Sequence, residues 1–181
     1  MPETGSTKPW WLAAALLVGV FAVGGIAFGV GRLTAGGGSE SDLGDRQADV
    51  AERGATVMPF DLERTTHVFS QTADGGLQTV TADDPQDAEQ VRLIREHLKS
   101  EAARFAAGDF SDPAQIHGSA MPGLAELSAA GGAIEIEYSD VPDGAAIRYA
   151  TEDPALASAL HRWFDAQVSD HGDHAHDGSM R

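Results

Sequence analysis

One short pattern occurs twice in the chain, 69 residues apart and without a gap. Ser70-Gln71-Thr72-Ala73-Asp74-Gly75 is followed by Asp84-Pro85, and Ser139-Asp140-Val141-Pro142-Asp143-Gly144 by Asp153-Pro154. The same offset sets Phe69 over Tyr138. Asp-Gly between two β-prone runs marks a hairpin, since glycine accepts the positive φ that a tight turn needs. Asp-Pro ahead of an apolar-periodic run marks a helix start: Asp caps the free N–H groups and Pro suits the first turn. Each copy therefore predicts strand, turn, strand, helix. Two such units predict an α+β domain with a four-stranded, mainly antiparallel sheet and two long helices on one face. Two separate small sheets satisfy the same pattern.

The periodicities fill in the units. Residues 65–70 and 77–82 form the first hairpin. Residues 86–107 form a long helix with Ala88, Val91, Ile94, Leu98, Ala102 and Phe105 along one face, stopped by Gly108. In the second hairpin, 134–139 with 145–151, Ile134, Ile136 and Tyr138 alternate with Glu135, Glu137 and Ser139, as in a sheet with one face in the core. Residues 155–168 form the second helix, burying Leu156, Leu160 and Trp163 or Phe164. Between the units, 111–133 is an irregular connection with a short helix at 124–129.

Outside this domain, set at 56–169, the composition shifts. Residues 1–9 are short and polar and read as disordered. Residues 10–31 carry no charge, lie between Lys8 and Arg32, and begin with Trp10 and Trp11. About 20 apolar residues cross a bilayer, so this stretch reads as a single-pass transmembrane anchor, with a cleaved signal peptide as the rival reading. The strongly acidic bulk on the C-terminal side favours a cytoplasmic N-terminus and an extracytoplasmic domain at the cell membrane. Residues 32–55, with Gly36-Gly37-Gly38-Ser39, read as a flexible linker. Residues 170–181 read as a disordered tail rich in His and Asp.

The formal charge is −16, from 28 acidic and 12 basic side chains. A field of that sign repels phosphate backbones, argues against nucleic acid as a partner and concentrates cations. No cysteine is present, so disulfides and thiolate metal sites are excluded. Seven histidines and four methionines are left as soft or borderline ligands, and all seven histidines lie beyond residue 31. His117 and Met121 share a Gly- and Pro-punctuated loop, and imidazole with thioether suits copper, with Met58 a possible second sulfur. His67 lies on the first strand, while His97 and His161 flank the two helices. The tail adds His171, His174 and His176, a tract able to wrap a divalent cation. No Ser–His–Asp arrangement, phosphate-cradling glycine loop or His-Glu-x-x-His stands behind a hydrolase or nucleotide enzyme. The leading expectation is a non-enzymatic, membrane-tethered metal-binding protein, copper first and zinc second. Its site would draw on His67, His97, His117, Met121 and His161, with the tail as a loose collector. A module that docks an envelope protein, its histidines incidental, is the alternative.

The soluble part also resembles a family of small, membrane-anchored actinobacterial proteins often labelled aspartate carbamoyltransferase. The resemblance runs from Met58-Pro59-Phe60-Asp61 through Thr65-Thr66-His67-Val68-Phe69 and Leu93-Ile94-Arg95-Glu96-His97-Leu98 to Ile116-His117-Gly118 and Met121-Pro122-Gly123-Leu124. It continues through His161-Arg162-Trp163-Phe164-Asp165-Ala166-Gln167 to Asp170-His171-Gly172. It implies carbamoyl transfer as a third expectation, with Arg64-Thr65-Thr66 the stretch nearest to that enzyme's Ser-Thr-Arg-Thr phosphate loop.

Overall fold

The two hairpins meet in one sheet. A computed structural model describes residues 38–178 and gives the order β3-β4-β2-β1-β5. Strands β1 (Thr65–Thr72) and β2 (Gly75–Ala82) form the first hairpin, and β3 (Glu135–Val141) and β4 (Gly144–Ala150) the second. Shifting the first register by 69 residues reproduces the second: Thr66↔Thr81 becomes Glu135↔Ala150, and Thr72↔Gly75 becomes Val141↔Gly144. Gln78 and Ile147, themselves 69 apart, face each other in the antiparallel β2–β4 ladder, so a pseudo-dyad through that pair relates the hairpins.

Helices α2 (Ala88–Ala106) and α5 (Pro154–His171) cover the same face. Tyr149 of β4 touches Phe105 of α2 and both Trp163 and Phe164 of α5, with ring centroids 5.6–6.3 Å apart. Below them lie Phe69, Val80, Ala145 and Ile147, buried by strand alternation. Gly76 permits the close approach of α5, because a Cβ there would collide with the Phe164 ring.

The helix starts differ between the copies. Asp153 caps α5 through Ala155 N, with Pro154 in the first turn, as the sequence predicts. Asp84 instead closes a turn onto Gln86 N, and the cap of α2 is Asp87, which accepts from Gln90 N and pairs with Arg64. The position equivalent to Asp87 in the second copy is Leu156, which cannot cap.

Three expectations are corrected. The sheet has five strands and is mixed, because β5 (Ala175–Asp177) pairs parallel to β1, with His67↔Ala175 and Phe69↔Asp177. The described part of the tail is therefore ordered: α5 runs on to His171, a 3₁₀ turn follows at Gly172–His174, and Ala175 is buried. The supposed linker forms a 20-residue helix, α1 (Gly38–Val57), against α5 and α3 (Ser111–His117). Among its residues 40–57 only Val50 and Gly54 are buried, so polar bonds hold it where apolar burial is slight. Helix α4 (Leu124–Ala129) falls where its sequence places it. The apolar stretch 10–31 lies outside the described residues. Among those described, no helix is long and apolar enough to cross a membrane.

Candidate functional site: a histidine-lined cavity

Strand alternation turns His67 inward between Thr65 and Phe69, so an imidazole stands where a strand of this kind usually places a hydrocarbon. Around it close His97 of α2, His117 at the end of α3, and His171 at the end of α5. These four line one cavity of about 50 Å³ together with Met58, Glu101, Asp112 and Gln167 and the apolar walls Phe60, Phe69, Phe105 and Trp163. One water needs about 10–15 Å³ on this measure, so the space suits a few waters or one small ligand.

His171 is the hub of the imidazoles. Its ring stacks on His67 at 5.3 Å and 11°, and meets His117 edge-on at 5.0 Å and 77°. Phe60 sets the other flank, 5.6 Å from His97 and 6.0 Å from His67. Burial lowers the pKa of His67 to about 4, although a hydrogen bond with the His174 backbone opposes it. Burial and the fields of His67 and His117 hold His171 well below the ordinary value, and burial lowers His97 too. These three rings are neutral at pH 7 and carry lone pairs. His67 Nδ1 and Trp163 Nε1 are buried without a hydrogen-bond partner in the protein, a costly arrangement that a water or another small occupant of the cavity would relieve.

His117 is oriented from outside the cavity. Its Nδ1 lies 2.8 Å from Asp170 Oδ2, and Asp170 takes two further bonds from Arg46 of α1, Nε to Oδ1 at 2.5 Å and Nη2 to Oδ2 at 2.6 Å. Burial alone would raise the Asp170 pKa; the bonds from His117 and Arg46 outweigh it and hold the carboxylate below its usual range.

Opposite the histidines, Glu101 lies one turn beyond His97. Burial, the hydrogen bond to Asp112 and the Asp112 charge raise its pKa to about 8. Asp112 pairs with Arg104 and stays ionised; Arg104 Nη1 also reaches Glu101 Oε1 at 3.2 Å and lowers the Glu101 pKa, but by less than burial and Asp112 raise it. The cavity thus holds a neutral carboxylic acid at pH 7.

The remaining expected ligands lie elsewhere. His161 Nε2 bonds the carbonyls of Thr72 and Gly75 at 2.9 and 3.0 Å, tying α5 to the first turn. Met121 is buried beside an outer groove with Arg46, Arg162 and Asp170, and Met58 rather than Met121 shares the cavity with His117. His174 sits 3.4 Å from Glu63, and His176 is exposed on β5. The tail trio is thereby divided, with only His171 turned inward. Among the described residues, no three His, Asp or Glu side chains are spaced to hold a metal ion as they stand. Sequence reasoning missed Glu101, Asp112, Asp170 and Arg46. The His97–Glu101 spacing of one helical turn was a readable signal; Arg46, in a stretch read as a linker, had none.

No protein-family model, curated protein or solved structure matches the chain.

Proposed function

We propose that this domain captures a copper ion, Cu(I) first with Zn²⁺ as the competitor, in the cavity between His67, His97, His117 and His171. The observation that carries the reading is the meeting of four imidazoles from four separate elements at one buried space, three of them held neutral. Neutral imidazole is the ligating form, and the Met58 thioether on the same wall favours the softer ion. Cu(I) accepts low coordination numbers, so a pair of imidazoles suffices to start a site. Completing it requires His171 to turn out of its stack on His67, at a cost of about 1 kcal/mol of ring contact. That is small beside metal–ligand free energies of about 10 kcal/mol or more. The acidic surface gathers cations, and the uncharged stretch 10–31 would keep the domain at a membrane. The cavity lining contains no Arg or Lys to hold a carbamoyl phosphate dianion, which counts against the transfer chemistry implied by the resemblance.

Competitive titration of the full chain with Cu(I), Cu²⁺ and Zn²⁺ tests the reading. One tight Cu(I) site that weakens at least tenfold in His67→Ala and in His117→Ala, and is untouched in His161→Ala, is expected. Absence of binding, or binding that disappears only when His174 and His176 are replaced, refutes it and leaves docking of a protein partner as the function to pursue.

A further inference from the structure

Helix α1 touches the rest of the domain at a conspicuous set of places. Arg53 Nε donates to the Ile116 carbonyl at 2.6 Å, and Arg46 Nη2 to the His117 carbonyl at 3.4 Å. Gln47 Nε2 donates to the Ser169 carbonyl at 2.9 Å, and Arg46 grips both oxygens of Asp170. Every one of these bonds falls on His117 or its neighbour, or within two residues of His171. These two cavity histidines meet edge to face, and they come from separate helices, α3 and α5.

We infer that Arg46 is a positioning residue for the cavity: by holding the Asp170 carboxylate against His117 Nδ1 it fixes that ring's orientation and tautomer, leaving Nε2 as the nitrogen open to an occupant. The inference deepens the copper reading and rests on it for its purpose. The geometry supplies each link. An ionised carboxylate only accepts hydrogen bonds, so the 2.8 Å contact requires the proton on Nδ1. A neutral ring then has its lone pair on Nε2. Asp170 is 3 % exposed, and among the described residues its Oδ1 is bonded by the guanidinium fork. Arg46 itself is 44 % exposed, so its charge stays solvated while the fork sets the carboxylate plane. Carboxylate–imidazole pairs of this kind orient metal ligands, and losing the outer partner typically costs 10–100-fold in metal affinity. Lysine offers a point charge without the fork, so it would restore the charge at Asp170 and only part of the alignment.

The test uses the ¹⁵N-labelled full chain and two readouts. In the metal-free protein, long-range ¹⁵N–¹H correlations report the His117 tautomer. The parent is expected to show Nδ1–H alone, Arg46→Gln a mixture with Nε2–H, and Arg46→Lys an intermediate population. Arg53→Gln, which loosens α1 while sparing Asp170, is expected to keep the parental tautomer. In the second readout, Cu(I) affinity falls 10–100-fold in Arg46→Gln, partly recovers in Arg46→Lys and is unchanged in Arg53→Gln. An unaltered tautomer in Arg46→Gln overturns the inference. An equal change in Arg53→Gln also overturns it, because Arg46 then serves only to dock the helix. The expected tautomer shift without Cu(I) binding by any of the proteins upholds the positioning role and overturns the copper reading instead.

Discussion

Replacing Glu101 by Gln isolates the carboxyl that the fold keeps in its acid form at neutral pH. Glu101 is 7 % exposed, and burial together with Asp112 raises its pKa from 4.5 to about 8. The folded protein therefore holds a proton that the unfolded chain releases between those values. Stability is fully present below pH 4.5 and is lost as pH rises towards 8. At 1.36 kcal/mol per pK unit, the loss reaches about 3 kcal/mol at pH 7 and at most about 5 kcal/mol across the window. Gln preserves the shape and donates an amide N–H to Asp112, but it has nothing to ionise. Parent and Glu101→Gln should agree within about 1 kcal/mol at pH 5. The variant should then be the more stable by about 3 kcal/mol at pH 7, or roughly 6–12 °C in Tm for a domain of this size. Urea denaturation at pH 5, 6, 7 and 8 gives the comparison, and subtracting the two curves removes what His67 and His171 contribute to both. Parallel curves between pH 5 and 8 would mean that Glu101 titrates as an ordinary carboxyl, and the assignment of an acid to the cavity wall would fall.

The acid side tests His67. Its lowered pKa contributes stability that is complete above pH 6.5 and disappears as pH falls through about 4, a change of about 3 kcal/mol. His67→Phe keeps a ring between Phe60 and Phe69 and should flatten that limb, whereas an unchanged limb refutes burial of a neutral imidazole. Gly123→Ala probes the junction of α4 and α5. At φ +80°, its Cβ would run into the Ala159 carbonyl, and strain with overpacking should cost about 3 kcal/mol in thermal unfolding. A parental Tm would show that the junction yields freely.

What the cavity owes to the chain is uneven. The strand of His67 and the helix of His97 are legible from alternation and helical period, whereas His117, read as part of an irregular loop, is the last residue of helix α3. The division of the tail is not legible. His171, His174 and His176 share one polar tract, yet His171 is the last residue of a helix anchored by Trp163 and Phe164, while His176 lies exposed on a strand. Composition cannot separate them, because the distinction comes from where α5 ends against β1. Helix α1 escaped for a related reason. Arg46, Gln47 and Arg53 take carbonyl and carboxylate partners 63 to 124 residues away, so no local pattern announces them.

The sequence by itself determined both hairpins and, apart from Ala88, which is exposed, the faces of the two long helices. These depend on turn chemistry and on periodicity between near neighbours, which act before the chain has closed on itself. Tertiary structure alone decided that β5 would cover the edge of β1, that a polar segment would become a docked helix, and that His67 and His171 would stack at 5.3 Å. Each of those outcomes requires pairing groups more than fifty residues apart. Only the assembled core, formed as α2 and α5 close over the sheet, brings such groups within reach and removes the water that would otherwise serve them.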